Sequence, residues 1–254
     1  MIVLLPPSEG KHEPTRGRPL DLDRLVLPEL RPTRERVLDA LAAVSARPDA
    51  PRELGVSPRL ADQIARNLTL RTDPTAPAEQ VYTGVLYAAL DLGTLDPSSR
   101  RRAARRLLVV SALFGALRMG DHIPAYRLAM GVDLPPLGPL ARLWRPPLAA
   151  ALPAVVGRGL VLDCRSSAYA AAWTPPPELA PRWVTVQVPG QSHLAKHTRG
   201  LVARAVCASP QAPDHPVDLV ELLRPLFDVS LESPPTTGRS WRLDVTVRAG
   251  GRSG

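Results

Sequence analysis

No run of eighteen apolar residues occurs in this 254-residue chain, so a membrane-spanning helix and a membrane partner are not expected. The opening Met1-Ile2-Val3-Leu4-Leu5 lacks a basic flank and meets Pro6-Pro7 after five residues, which argues for a buried first strand and against a signal peptide. Cysteine is scarce. Cys164 and Cys207 lie far apart, with no metal-ligand spacing around either, which excludes a disulfide framework and fits a reducing, cytoplasmic setting. The five histidines are dispersed, and the i, i+4 pair His193 and His197 has no acidic third ligand nearby, so neither a metal nor a cofactor is expected. Internal repeats are absent. Lysine is almost missing: of 32 basic residues only Lys11 and Lys196 are lysine. Where drift toward arginine is that strong, a retained lysine points to a need for its compact ammonium.

What is present is basic. A formal charge of +8 favours polyanionic partners through non-specific attraction, although abundant arginine, alanine and proline would give the same charge through composition alone. At 44% hydrophobic content the chain can bury one substantial core. A single domain over residues 1–249 is expected, with a flexible tail at 250–254.

Val37, Leu38, Leu41 and Val44 recur at helical spacing and predict an amphipathic helix over about 31–46. Prolines at 48 and 51 stop it, and Ser57 with Pro58 reads as the N-cap and first residue of a second helix running to about Leu70. The pair, about 31–71, is read as a helix-hairpin-helix element. Gly55 in its connector would let backbone amides approach a phosphate without reading bases, with Ser57, Arg59 and Arg66 completing a DNA-binding face; a plain hairpin packed on the core would look the same. Further helices are expected from about Pro97, over 192–207 and over 217–226. Strands are expected over 160–164 and 183–188, while Leu107 to Leu117 is core of either kind. Trp241 to Val247 alternates with period two and is expected to close the sheet. The fold class is therefore α/β, a mixed sheet with surrounding helices.

Four segments carry candidate chemistry. Leu5-Pro6-Pro7-Ser8-Glu9-Gly10-Lys11 leaves the first strand, where α/β proteins place binding groups, and its glycine would let amides and an ammonium converge on an anion. It is not a Walker A loop, since Leu5 and His12 stand where that pattern needs glycine and Ser or Thr. An ordinary turn with an exposed lysine is the plainer reading. Arg118 and Arg127 flank a turn-rich segment, with Asp121 available to orient either, and suit bidentate binding of carboxylate or phosphate; a surface ion-pair cluster is the alternative. Asp163-Cys164-Arg165-Ser166-Ser167-Ala168-Tyr169 follows a strand. In the segment from His193 to Arg204, Lys196 and Arg199 share a helix face, either binding an anion or simply solvated. The tract Arg100-Arg101-Arg102-Ala103-Ala104-Arg105-Arg106 could extend a phosphate path, though a solvated helix face explains it more simply.

Taken in order, these segments resemble the YaaA family of peroxide-stress proteins. Shared are the Leu-Pro-Pro-Ser-Glu-Gly-Lys start, a block at Ala112 to Met119, the Pro-Tyr-Arg-Leu-Glu-Met-Gly block at Ala125 to Gly131, and a late basic helix at Lys196 to Arg204. The family's Asn-Leu-Ala-Ser-Asn-Glu-Tyr segment reads Asp163 to Tyr169 here, and only Ser166 and Tyr169 carry over; its glutamate before the methionine is Ala129. The resemblance implies a compact mixed α/β fold with a positively charged cleft, a helix-hairpin-helix element, and a role in limiting oxidative damage to DNA under peroxide stress. The expected function is thus sequence-nonspecific DNA binding through Gly55, Ser57, Arg59 and Arg66 together with an anion site of Lys11, Arg118, Arg127, Ser166, Lys196 and Arg199. The alternative is an enzyme acting on an anionic small molecule, with Lys11, Ser8, Glu9 and Tyr169 as candidate catalytic groups.

Overall fold

The computed structural model describes residues 1–190, 192–234, 236 and 238–248; the tail expected at 250–254 lies outside the described residues. The opening run becomes β1 (Ile2–Leu5), buried throughout, as expected of a strand with parallel neighbours on both edges and both faces covered. After a long loop, α1 (Arg31–Ser45) buries Val37, Leu38, Leu41 and Val44, the stripe that the spacing predicts. A single turn, α2 (Ala50–Glu53), follows. The second helix expected from Pro58 is instead three pieces: a 3-10 turn Pro58–Leu60 capped by the Ser57 hydroxyl, α3 (Ala61–Ala65), and a 3-10 turn Arg66–Leu68. The side-chain amide of Asn67 donates to Ser45 Oγ at 3.1 Å and to the Arg127 carbonyl at 3.0 Å. Side-chain to backbone bonds of this kind compete with helical geometry.

The chain continues through β2 (Ala76–Pro77), α4 (Ala78–Val81), α5 (Val85–Leu90) and α6 (Pro97–Arg106), the last capped by the Asp96 carboxylate. The ambiguous apolar run resolves into β3 (Leu107–Ser111) and β4 (Gly115–Leu117), antiparallel to each other. Then come β5 (His122–Ile123), β6 (Asp133–Leu134), β7 (Gly138–Pro139) and α7 (Leu140–Val156). Helix α7 was not anticipated because Pro146, Pro147 and Pro153 lie inside it. The rest is β8 (Val161–Asp163), α8 (Ser167–Ala170), β9 (Trp183–Gln187), α9 (Ser192–Ala208), α10 (Pro216–Leu223), β10 (Phe227–Glu232) and β11 (Trp241–Val247).

Seven strands form one mixed sheet in the order β10-β11-β9-β8-β1-β3-β4. Strand β11 does not close it. It lies parallel to β9, and β10, which period-two reading overlooked, pairs antiparallel outside it. No helix among the described residues is long and apolar enough to cross a membrane.

Three arginines of the α6 tract, Arg100, Arg102 and Arg106, are held by the protein itself, while Arg101 and Arg105 are exposed. Arg102 donates to the carbonyls of Cys207 and Ala208, Arg106 to those of Val206 and Ser209, and Arg100 pairs with Glu79; cations so placed satisfy the last carbonyls of α9. The same helix is held against α5 through Gly200, where a Cβ would stand 2.2 Å from the Leu86 carbonyl oxygen and 2.8 Å from Ala89 Cβ. Backbone cannot yield there without moving α9. Gly200→Ala is therefore expected to lower stability by about 1–3 kcal/mol through overpacking, read as a fall in the urea midpoint; an unchanged midpoint would mean that α9 shifts freely.

Candidate functional site

Within the sheet, the parallel strands run β3-β1-β8-β9-β11. The chain leaves β1 for β3 on one side and later returns to β8 on the other, so β1 and β8 flank a topological switch point. In open α/β sheets the crevice beyond the carboxyl ends of such strands is the usual ligand position. The loops that leave those ends are Pro6 to Lys11 and Cys164 to Tyr169, two of the four candidate segments.

Lys11 is half-buried, with its backbone bridged to Tyr82 and the neighbouring amides bonded to Val81 and Gly10. Its Nζ donates to the Ser8 carbonyl at 2.7 Å and lies 4.2 Å from the Tyr126 ring centroid and 5.8 Å from that of Tyr82. Burial, followed by the charge of Arg127 and opposed by Glu9, lowers its pKa to about 7. Desolvation thus outranks the neighbouring guanidinium as the cause.

Around this lysine stand Glu9, Gln63, Arg66, Ala125 and Tyr126, lining a notch of about 10 Å³. Arg127 Nη1 donates to the Glu9 carbonyl at 3.3 Å, and Lys196 Nζ approaches Glu9 Oε1 at 3.8 Å. Tyr169 lies near Glu9 and Arg127 and bonds the Met130 backbone; burial raises its hydroxyl pKa. Ser8 contributes its backbone carbonyl, while its hydroxyl faces Gly84. Lys11, Glu9, Arg127, Lys196 and Tyr169 therefore lie close together. Arg66 joins them. The hairpin is not a separate place: Arg66, paired with Glu13 at 2.7 Å, belongs to the rim of the lysine notch.

Other candidates stand elsewhere. Arg118 is half-buried and donates to the carbonyls of Arg105 and Leu107 at 2.7 and 3.0 Å, so its guanidinium braces α6 against β3 and does not clamp with Arg127. Asp121 orients neither guanidinium; its carboxylate accepts from the backbone N–H groups of Arg118 and Val26. Arg199 turns toward the carboxyl end of β9, with Nη2 3.5 Å from the Val186 carbonyl and Nε buried without a partner among the described residues. Ser166 occupies the cap position of α8 without a side-chain cap bond. Gly55, at φ 64°, Ser57 and Arg59 are exposed on the connector.

Residues not singled out complete the site. Asn67 receives the Arg127 N–H at 2.9 Å and donates to its carbonyl, fixing the backbone that presents that guanidinium. The Tyr126 hydroxyl lies 2.8 Å from Ser111 Oγ and 3.0 Å from the Tyr82 hydroxyl. Asp163 and Arg165, both buried, form a bidentate pair at 2.7 and 2.8 Å that holds the loop leading to Tyr169. The pair stands where the resembling family has asparagine and alanine. Reading each position alone hid that the two replacements answer each other.

The model of a family described as "Peroxide stress protein YaaA" matches residues 1–222. A UPF0246 protein of Streptomyces coelicolor is 50% identical over 256 residues, covering 97% of this chain and 98% of the relative. A UPF0246 protein of Corynebacterium efficiens is 38% identical over 232 residues, covering 88% and 92%, and one of Corynebacterium glutamicum is 34% identical over 242 residues, covering 92% and 96%. With the family match running through all four motif segments, the chain belongs to the YaaA family of peroxide stress proteins.

Proposed function

We propose that this peroxide-stress protein binds duplex DNA through its phosphate backbone, without reading sequence, and in doing so limits oxidative damage to it. The observation that carries the reading is the gathering of four cations from four chain segments: Lys11 and Arg66 line one shallow notch, Arg127 donates to the Glu9 carbonyl beside it, and Lys196 stands outside it at the Glu9 carboxylate. A notch of about 10 Å³ does not enclose a metabolite, whereas small-molecule sites are typically several hundred Å³. An open cationic rim suits a polyanion that lies across it. The exposed connector, with its left-handed Gly55 and the Ser57 cap, is read as a helix-hairpin-helix element that adds the exposed Arg59 as a further phosphate contact.

Phosphate contacts at the four gathered cations alone predict a slope of about −3.6 in log affinity against log salt, or roughly a hundredfold loss between 50 and 200 mM. Arg66→Ala and Arg127→Ala should each flatten that slope by about 1, with equal effect on unrelated duplexes. Because Lys11 titrates at about 7, phosphate beside it favours proton uptake, and affinity should rise as pH falls through that value. Fluorescence anisotropy on a labelled duplex measures all three. Salt-insensitive binding, or none at low salt, refutes the reading.

A further inference from the structure

The chain has four tyrosines, and all of them surround the loop that carries Lys11. The Tyr82 and Tyr87 rings lie 5.3 Å apart, Tyr82 and Tyr126 share a hydroxyl contact at 3.0 Å, and the Tyr87 hydroxyl donates to the Pro6 carbonyl at 2.8 Å. Tyr169 stands close enough to Tyr126 and Tyr87 to act on both electrostatically. The lysine therefore rests on an aromatic floor.

An ammonium carries three donors and no acceptor. Among the described residues only one acceptor, the Ser8 carbonyl, bonds Lys11 Nζ. Among the described residues no carboxylate approaches it within ion-pair distance, as the nearby Glu9 carboxylate turns to Lys196 instead. The ammonium is held by one carbonyl and by the faces of Tyr126 and Tyr82, with no carboxylate to fix its charge, so on losing a proton the amine keeps its Ser8 bond and frees a lone pair. Lys196 differs on each count. Its side chain is 51% exposed and faces Glu9, and it stays outside the notch.

We propose that Lys11 Nζ is a covalent site for an aldehyde that carries a phosphate group, the carbonyl entering the notch while the phosphate rests on Arg66 and Arg127. The inference depends on the phosphate-binding reading of the same rim. The volume of about 10 Å³ admits a group of about the size of one water, so the carbonyl enters while the ring or chain that carries it stays on the open rim. Nζ attacks the carbonyl carbon, forming a C–N bond as the C=O π pair moves to oxygen. The oxygen takes protons and leaves as water, the nitrogen gives up both of its amine protons, and an imine remains. No oxidant or reductant is required. The groups around Nζ are Arg66, Arg127, Tyr82 and Tyr126, with the Glu9 carboxylate turned away to Lys196, so water from the open rim carries the protons between nitrogen and departing oxygen. Both the ring-opened sugar of an abasic site in DNA and a free phosphorylated aldehyde have this chemistry.

Borohydride reduction distinguishes these sources and tests the proposal. The full chain is treated near pH 7 with a duplex containing one abasic site and, separately, with pyridoxal 5′-phosphate, and the adducts are mapped by peptide mass. Because Lys11 and Lys196 are the only lysines, one is the internal standard for the other. Lys11 should be labelled at least about tenfold faster than Lys196, because burial lowers the Lys11 pKa and Arg66 and Arg127 hold the phosphate beside it, and Lys11→Arg should abolish the adduct on its peptide. Trapping of the abasic duplex assigns the aldehyde to damaged DNA; trapping of pyridoxal 5′-phosphate alone assigns it to a free phosphorylated aldehyde. Equal labelling of both lysines, or labelling at Met1 or Lys196 without Lys11, overturns the proposal. Absence of any adduct also overturns it, and if the wild-type chain still binds an intact duplex, only the imine falls and the phosphate-binding reading stands.

Discussion

Arg165→Ala should lower the unfolding free energy by about 3–5 kcal/mol, the cost of leaving a buried charge without its partner. Asp163 and Arg165 are each 3% exposed. The guanidinium engages both carboxylate oxygens and also donates to the carbonyls of Trp173 at 2.8 Å and Tyr169 at 3.2 Å. Without it, Asp163 keeps only the Arg165 backbone N–H at 3.0 Å and the Trp183 indole N–H at 3.3 Å. The two carbonyls lose a donor as well, so the loop that presents Tyr169 should loosen and duplex affinity should fall with stability. The double variant Asp163→Leu with Arg165→Met removes both desolvation penalties and should regain most of the loss. Urea denaturation of the two variants decides the point: a loss under about 1 kcal/mol for the single variant, or a double variant no better than it, would show the pair to be dispensable.

Arg34→Leu should cost a comparable amount, about 4 kcal/mol, since each unsatisfied buried carbonyl costs roughly 1–3 kcal/mol and apolar burial returns part of it. Arg34 is 0% exposed on α1 and donates to four carbonyls: Val26 at 2.7 Å, Leu27 at 3.2 Å, Phe114 at 2.9 Å and Ala116 at 3.0 Å. It joins the loop before α1 to the β3–β4 turn and to β4. Among the described residues no carboxylate bonds it; burial pulls its pKa down to about 10, against the pull of Asp121 and Glu29, so it remains charged at neutral pH. Arg34→Lys should recover only part of the loss, because an ammonium cannot match a planar fork spread over four acceptors. The check is the urea midpoint at an unchanged m-value, and an Arg34→Leu variant as stable as the wild type would contradict this account.

How much of this was legible depended on the range of the interaction. The burial of β1 follows from five residues without a polar group, and α1 from apolar spacing, because strand and helix periods are local. The Ser57 cap was legible for the same reason. Arg118 was misplaced, since a guanidinium beside a turn looks the same in sequence whether it meets a ligand or a pair of backbone carbonyls. Asn67 was invisible, as its partners are Ser45 and Arg127, distant along the chain. Helix α7 was hidden by prolines that tertiary packing tolerates.

The residues by themselves determined the strand-loop start, the amphipathic first helix, the basic character, and the choice of lysine at 11 and 196 where arginine fills other basic positions. Those are properties of composition and short-range pattern. Only the tertiary structure decided that Arg66 and Arg127 meet at Lys11 while Arg118 does not, and that Lys11 is held near neutrality. The reason is physical: convergence depends on the strand order that places β1 at the switch point, and a pKa depends on what surrounds the charge in space rather than on its neighbours in the chain.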